Sequence, residues 1–448
     1  MTTEQLKARV ANKTFLRVLV PIFIASMLAF IDRVNISFAM LKMNADLSFA
    51  PEIYGMGAGI FFMGYVLFEV PGAILAERWS PSKWIARIMF TWGLVSAMMA
   101  FMTTSWHFYI LRFLLGACEA SLYPVIYACV VPRWFTAETK GKAISLILTS
   151  LPLSAMIGGP LAGFLIEHEF FALKGWQFLF LVEGGLTAVY GFAILLFLKD
   201  TPESVHWLTD EEKNYLIASI KAETSNKVKE KHYSLLQGLT DPKVLFLGFI
   251  YFCWVVGFWG FNFWLPKSIE RVTGAGAGTI GLLSLIPVTV ALLALIYVGH
   301  SSAKHGETKK HVGIPLMIGA AGFLIAALVE GPVASIAAFT LISIGVYSPM
   351  GVWWSIPTSF LTGVAAAGAT GLINSMGNIG GFVGPNIVGY FKRLTGIQSD
   401  TAVFFIFAFT LFLSSILVLT LKIREPAGGT KAPLRGKGGQ TVALDPAD

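Results

Sequence analysis

The sequence has few charged residues and very little cysteine for a chain of 448 residues. Charged residues make up 13% of it, whereas an ordinary soluble domain carries about 25%. Such a chain cannot cover its own surface with polar groups, which excludes a soluble protein. The three cysteines, Cys118, Cys129 and Cys253, all lie in apolar runs without metal-type spacing. A disulfide framework and a cysteine metal centre are therefore excluded as well.

Motifs that indicate ATP use, hydrolysis or metal catalysis are also absent from the sequence. It contains no phosphate-cradling Gly-Lys-Ser/Thr, no nucleophile elbow and no HExxH. These absences argue against an enzyme, against a bound cofactor and against a metal site.

Long apolar runs dominate the sequence instead. Hydrophobic residues make up 55% of the chain, and its mean hydropathy is +0.69. Runs long enough to cross a membrane as helices lie near residues 16–38, 53–76, 84–103, 106–130, 143–166, 176–198, 244–265, 279–299, 312–330, 333–354, 362–391 and 402–421. None alternates with period two, and lipid cannot satisfy an open strand. The predicted fold class is an all-α integral membrane protein with twelve transmembrane helices in two six-helix bundles.

The order of the runs predicts a duplicated chain divided around a polar loop, as in many transporters. The predicted parts are a cytoplasmic N-terminus at 1–15, a first bundle at 16–198, a central loop at 199–243, a second bundle at 244–421 and a disordered tail at 422–448. The loop is expected to form a short amphipathic helix after Thr209. No small-residue cleavage site follows the first apolar run, which therefore predicts a membrane helix rather than a signal peptide.

The basic side chains are distributed unevenly between the predicted loops. With the N-terminus inside, cytoplasmic segments hold 25 of the 33 Lys and Arg residues and outside segments hold six. Because cytoplasmic loops of membrane proteins are enriched in Lys and Arg, both termini and the central loop are predicted to be cytoplasmic. We expect a multi-pass protein of the bacterial cytoplasmic membrane. The formal net charge of +7 is explained by the basic residues of the cytoplasmic segments, so no nucleic-acid partner is expected.

Short motifs spread along the chain resemble the major facilitator superfamily, specifically its anion:cation symporter branch. They are Ile31–Ser37, Gly64–Pro71, Arg112–Ala120, Gly175–Gly184, Thr201–Thr209, Trp264–Pro266 and Asn374–Gly381. The resemblance implies proton-coupled import of a small organic anion, such as tartrate, a sugar acid or an aromatic carboxylate. It also implies a proton gradient as the driving force, with no cofactor. We expect the protein to work as a monomer.

Two other functions remain open at the level of the sequence. The first is proton-coupled export or exchange of an amphipathic compound, since Gly159-Pro160 and Gly163 resemble a helix-five motif of drug antiporters. The second is a membrane sensor that binds without transporting. Two arginines inside predicted helices, Arg33 and Arg112, favour an anionic cargo over a cationic drug.

Charged side chains inside membrane helices are costly and indicate function. In the fourth predicted helix, Arg112, Gly116, Glu119 and Tyr123 share the spacing of one helix face, which predicts a polar stripe along a water-filled cavity. At about 1.5 Å of rise per residue, Asp32 and Arg112 are expected at the same depth, where they can form an ion pair.

This geometry predicts two acidic protonation sites and two cations. Asp32 and Glu119 are predicted to couple proton uptake to transport, and Glu119 has no obvious cation within one turn. Arg33 and Arg112 are predicted to bind the substrate carboxylate or to pair with the acids. The family resemblance implies the same roles for these four residues. Arg112, whose guanidinium matches a carboxylate with two donors, is the first candidate for anion recognition.

Polar but uncharged side chains in other helices are candidates for contacts with hydroxyl groups of a substrate. They are Tyr65, Asn262, Asn374 and Asn378, each of which could instead join neighbouring helices. Two further membrane carboxylates, Glu69 and Glu183, are expected to be structural.

Overall fold

The computed structural model describes residues 2–169, 171–227, 240–358, 363–395 and 400–421. Over these residues the chain is a bundle of long helices that fall into two groups of six. The predicted all-α membrane fold is therefore confirmed. The tail after Pro426 lies outside the described residues.

The first half contains six membrane helices, and eleven spans in all are long and apolar enough to cross a membrane among the described residues. The first six are α1 at Thr3–Asp46, α2 at Pro51–Trp79, α3 at Pro81–Phe101, α4 at Ser105–Trp134, α5 at Ala137–Glu167 and α6 at Gly175–Phe197. On α6 the exposed side chains Leu186, Val189, Phe192 and Leu196 form one face. Such a face is stable against lipid rather than water.

The second half repeats this pattern. Its helices are α7 at Pro242–Thr273, α8 at Ala277–His305, α9 at Lys309–Leu328, α10 at Pro332–Pro357, α11 at Gly363–Thr395 and α12 at Thr401–Thr420. With 33 residues, α11 is long enough to span a membrane, although its glycines and its asparagines (Asn374, Asn378 and Asn386) lower its hydropathy. It is the twelfth membrane helix.

The first helix is longer than the predicted run 16–38. It begins at Thr3 with a capping box between Thr2 and Gln5, passes through a π-helical turn at Phe15–Leu19 and ends at Asp46. The π turn ends where Pro21, which lacks a backbone N–H, enters the helix. The polar first turns are helical because they are capped, a feature that hydropathy does not detect.

The central loop contains the predicted helix. It spans Asp210–Lys227, and Thr209 and Glu212 cap its start by exchanging hydrogen bonds. We call this segment the loop helix. The Glu212 carboxylate accepts a 2.7 Å hydrogen bond from Lys13 Nζ at the start of α1. The loop helix is therefore fixed against the N-terminal part of α1.

The two halves contact each other at the end of the molecule away from the N-terminus, which we call the distal end. There the Tyr54 hydroxyl of α2 donates a 2.8 Å hydrogen bond to the Phe263 carbonyl of α7. A Cβ atom on Gly55 would lie 2.7 Å from the Pro385 carbonyl oxygen of α11. The helices approach closely because a glycine lies between them, so the distal end is closed in this conformation.

Candidate functional site

The middle of α1 lies entirely inside the molecule. Every residue from Ala29 to Leu41 is buried, because α1 packs against α5 and α6 of its own half and against α7 of the other. The polar side chains of Asp32, Arg33 and Asn35 are therefore withdrawn from lipid and must find partners within the protein.

Arg33 forms a buried ion pair with Glu119 of α4. The guanidinium donates to one carboxylate oxygen of Glu119, which is fully buried. The sequence predicted no cation within one turn of Glu119 on its own helix, and the cation that pairs with it comes from α1 instead. Among the described residues, Arg33 Nε and the second carboxylate oxygen of Glu119 have no hydrogen-bond partner.

Aromatic rings from both halves surround the Arg33 guanidinium. Its central carbon lies 5.1 Å from the ring centre of Phe61, 5.2 Å from Tyr65 and 5.6 Å from Trp259. Phe61 and Tyr65 belong to α2, whereas Trp259 belongs to α7 in the second half. These cation–π contacts, worth about 2 kcal/mol each where water is excluded, place the ion pair at the interface between the halves.

The fourth helix breaks immediately after Glu119. Its first segment ends at Glu119, and Ser121 adopts the left-handed conformation with φ of 73°. The Ser121 hydroxyl accepts a hydrogen bond from Trp84 Nε1 at 3.0 Å, which holds the break in place. Tyr123 lies beyond this break, but it is still close enough to Arg33 and Glu119 to interact with them electrostatically.

Arg112 does not form the predicted ion pair with Asp32. It is fully buried, and its Nε and Nη2 atoms donate to the carbonyl oxygens of Gly57 and Ala58 at 3.1 and 3.2 Å. Gly116, one turn further along α4, packs directly against the backbone of α2 rather than leaving space for a ligand. In this conformation Arg112 joins α4 to α2.

Asp32 lies in a separate hydroxyl-lined position inside the first half. Its carboxylate accepts hydrogen bonds from Thr187 Oγ1 at 2.7 Å and from Ser96 Oγ at 3.5 Å. Nearby on the same helices, Glu183 accepts a 2.9 Å hydrogen bond from Asn35 Nδ2. Within the described residues, no cation pairs with either carboxylate.

The asparagine candidates have three different surroundings. Asn262 accepts a 2.5 Å hydrogen bond from the Tyr347 hydroxyl, so it joins α7 to α10. Asn374 donates at 2.5 Å to Glu69, which joins α11 to α2 across the two halves. Asn378 lies one turn further along α11, and its Nδ2 has no partner among the described residues.

Two residues of this site were missed or undervalued in the sequence. Trp259 carries no charge, and only the packing of α7 against α1 brings its ring to Arg33. Glu69 was visible as a membrane carboxylate, but its hydrogen bond to Asn374 spans 305 positions of the chain. A contact between residues so far apart in the chain cannot be recognised from the spacing of neighbouring residues.

Comparison with known proteins identifies this architecture. The family model described as Major Facilitator Superfamily matches residues 22–385. The chain belongs to the major facilitator superfamily. It is therefore a multi-pass membrane transporter, not an enzyme, and the resemblance seen in its motifs is confirmed.

Several major facilitators are similar to the chain over most of its length. A protein of Agrobacterium vitis named as a tartrate transporter is 39% identical, over 95% of this chain and 94% of its own. A quinolone resistance transporter of Acinetobacter baumannii is 36% identical, over 83% of this chain and 85% of its own. The crystal structure of a D-xylose-proton symporter superposes with a TM-score of 0.72 at 13% identity, over 92% of this chain and 99% of its own. That last likeness concerns the fold alone.

Proposed function

We propose that the protein imports a small organic anion together with protons, by alternating access between its two halves. The observation that carries this proposal is the buried pair of Arg33 and Glu119 at the interface between the halves. A guanidinium surrounded by aromatic rings and open to a new hydrogen bond at Nε is a suitable receptor for a carboxylate. The 39% identical relative named for tartrate transport also supports an anionic substrate.

Coupling follows from competition for one guanidinium. A substrate carboxylate that binds Arg33 displaces Glu119 from its cation. A buried carboxylate without a cation is unfavourable, and Glu119 also lies at the C-terminal end of a helix segment, where the helix dipole disfavours negative charge. Displaced Glu119 therefore takes up a proton, and the substrate and the proton enter the site together.

Asp32 is proposed as a second proton site. Its partners, Thr187 and Ser96, are hydroxyl groups that can either donate to a carboxylate or accept from a carboxylic acid. This geometry tolerates both protonation states without rearrangement. Asp32 lies next to Arg33 in the chain, so a change of its charge alters the field at the substrate cation.

The proposed orientation places both termini in the cytoplasm of a bacterial cell, in the cytoplasmic membrane. The excess of Lys and Arg in the N-terminal, central and C-terminal segments supports this orientation. The closed distal end then faces outward, away from the cytoplasm.

Export of an amphipathic compound is the second candidate function. It is favoured by the 36% identical relative named as a quinolone resistance transporter. Import and export make opposite predictions for the pH gradient. An importer accumulates its substrate in vesicles that are acidic outside, whereas a proton antiporter expels it under the same gradient.

Uptake into proteoliposomes tests the proposal. The wild type should accumulate a labelled carboxylate when the outside is acidic, and Glu119→Gln should bind the carboxylate but lose the gradient-driven accumulation. Glu330→Gln, which removes an exposed carboxylate from the loop between α9 and α10, is the control and should behave as the wild type. Gradient-driven accumulation by Glu119→Gln at the wild-type rate would remove Glu119 from the coupling mechanism.

A further inference from the structure

One arginine of the first half lies on a membrane helix well away from the site at Arg33. The side chain of Arg87, on α3, is half-buried. The helix spans 21 residues, so its length is about the thickness of the hydrocarbon core of a bilayer. The backbone of Arg87 lies about 9 Å past the first residue of α3, Pro81. A charge at this depth is costly unless it reaches the membrane surface or finds a partner.

Arg87 belongs to the face of α3 that is turned toward lipid. The exposed large apolar side chains of this helix are Phe90, Leu94, Met98 and Phe101. Arg87 precedes Phe90 by three residues, so it lies on the same face. The ring of Phe90 also packs against the ring of Phe192 on α6, with ring centres 5.0 Å apart. The apolar surface therefore continues from α3 onto the exposed face of α6, and it is wide enough to hold acyl chains.

The Arg87 side chain is directed toward the start of α3. Its guanidinium carbon lies 4.0 Å from the ring centre of Trp84, three residues earlier. The Trp84 ring is held by its hydrogen bond to Ser121 Oγ and by an edge contact with Trp79, 6.3 Å between ring centres. Trp79 is 60% exposed, as is typical of aromatic side chains at the membrane interface. The guanidinium therefore lies near the level of the lipid headgroups.

Within the described part of the chain, no carboxylate neutralises Arg87. Its Nε atom is buried without a hydrogen-bond partner, and the side chain that acts on it electrostatically is Cys118 of α4. Another arginine at this end of the molecule, Arg133, differs because it pairs with Glu77 at 2.9 Å. Lys83, one turn before Arg87 on the same face, is exposed and adds a second positive charge. The two cations form a basic patch at the edge of the apolar surface, which we call the α3 patch.

We infer that the α3 patch binds the phosphate of an anionic phospholipid, in the leaflet at the end of the molecule that holds the N-terminus. The Arg87 guanidinium matches a phosphate with two donors, and the acyl chains lie over Phe90 and Phe192. Lys83 disfavours a headgroup that also carries an ammonium, because like charges repel. Phosphatidylglycerol therefore suits the patch better than phosphatidylethanolamine. In the proposed orientation this is the cytoplasmic leaflet, where anionic lipids attract basic side chains.

Native mass spectrometry of the purified full chain, delipidated in detergent, provides the test. The protein is titrated with phosphatidylglycerol, phosphatidylethanolamine and inorganic phosphate. The first molecule of phosphatidylglycerol should bind about fivefold more tightly than the first phosphatidylethanolamine, which is the contribution of one basic side chain near the surface. Excess inorganic phosphate should not displace it, because free phosphate makes no contact with the apolar surface. Equal affinity for the two lipids, or displacement by phosphate, would overturn the inference.

Arginine variants at the same end of the molecule assign the lipid to the α3 patch. Arg87→Gln removes the charge and both donors, and should weaken phosphatidylglycerol binding about tenfold. Arg87→Lys keeps the charge but not the planar pair of donors, and should weaken it about threefold, which gives a second test if the glutamine variant does not fold. Arg17→Gln removes another exposed arginine, at the start of α1, and should bind within about twofold of the wild type. Wild-type affinity in the folded Arg87 variants, or an equal loss in Arg17→Gln, would contradict the assignment.

Discussion

Arg33 and Arg112 show how two similar side chains in neighbouring helices take different roles. Both guanidinium groups lie about 5 Å from the ring centre of Phe61. Arg112 donates to two backbone carbonyls of α2, whereas Arg33 donates to the carboxylate of Glu119. Among the described residues each keeps one buried nitrogen without a hydrogen bond, Nη1 in Arg112 and Nε in Arg33. The sequence placed both in the membrane but favoured Arg112 for recognition, because the carbonyls of Gly57 and Ala58 cannot be read from a residue pattern.

The Arg33→Lys variant should lose substrate affinity although it keeps the charge. A lysine ammonium cannot offer two parallel donors to a carboxylate, so the loss should be about 1.5–3 kcal/mol, the value of a charged hydrogen bond. Calorimetric titration with the tightest-binding acid measures it. Binding within about twofold of the wild type would show that the guanidinium geometry is not used.

The matched variant Arg112→Lys should lose stability instead of affinity. Lysine cannot reach both carbonyl oxygens of α2 with the same geometry, so a cost of about 1–3 kcal/mol in stability is expected. The measurements are the thermal midpoint of the purified protein and the affinity for the same acid. A large loss of affinity without any change in the midpoint would return Arg112 to the binding site.

The positions of single helices were predicted well where they follow from apolar runs. They were predicted less well where a helix break or a helix start depends on backbone conformation or capping. The twelve apolar runs and the helix after Thr209 are present. The left-handed Ser121 that breaks α4 and the polar start of α1 are not apolar features, so hydropathy could not detect them. The stripe on α4 was predicted on an unbroken helix, whereas Glu119 and Tyr123 lie on either side of the break at Ser121.

The loop helix should detach in acid. Burial alone would raise the pKa of Glu212, but hydrogen bonds from Lys13 and the Thr209 backbone, together with the charges of Lys13 and Arg9, lower that pKa below its ordinary 4.5. A carboxylate with a lowered pKa stabilises the folded contact above its unfolded pKa, and this contribution is lost as the pH falls. The docking should therefore be intact at neutral pH and weaken below pH 4.5.

Hydrogen exchange of the loop helix, corrected for the intrinsic rate at each pH, measures this docking. In the wild type, protection of its amides should fall as the pH drops through the pKa of Glu212. Glu212→Gln should show weaker protection at neutral pH and little further change in acid. Wild-type protection that is the same at both pH values would contradict the assigned role of Glu212.

For the molecule as a whole, the two halves contact each other through glycines, hydrogen bonds and aromatic rings such as Phe62 and Trp259. The sequence predicted two six-helix groups, but which end is closed depends on contacts between distant segments, such as Tyr54 with Phe263. A hydropathy pattern shows which residues form a helix but not which helices contact each other. The predicted division of the chain at 199–243 remains a prediction.

Loss of one hydrogen bond at the distal end should shift the whole molecule toward a distal-open state. Tyr54→Phe removes the bond to the Phe263 carbonyl, which is worth about 1 kcal/mol, so the open population should rise about fivefold. Spin labels at the exposed positions Trp106 and Val333, in opposite halves, report the distance across this end. Tyr190→Phe removes a hydroxyl–carbonyl bond within the first half and should leave the distance distribution unchanged, whereas an unchanged distribution in Tyr54→Phe would contradict the assignment.

The orientation of the molecule is tested with reporters. A fluorescent protein that matures only in the cytoplasm, fused after Ser225 or at the C-terminus, should be active. A phosphatase that is active only in the periplasm should be inactive at the same positions. The reverse pattern would invert the proposed topology and with it the direction in which the closed distal end faces.

Proton uptake on substrate binding is the most direct test of the proposed exchange at Arg33. The heat of binding, measured by calorimetry in buffers of different ionisation enthalpy, gives the number of protons taken up per substrate. The wild type should take up about one proton as the carboxylate displaces Glu119, and Glu119→Gln should bind the same acid with almost none. Equal proton uptake by both proteins, or none by the wild type, would contradict the account.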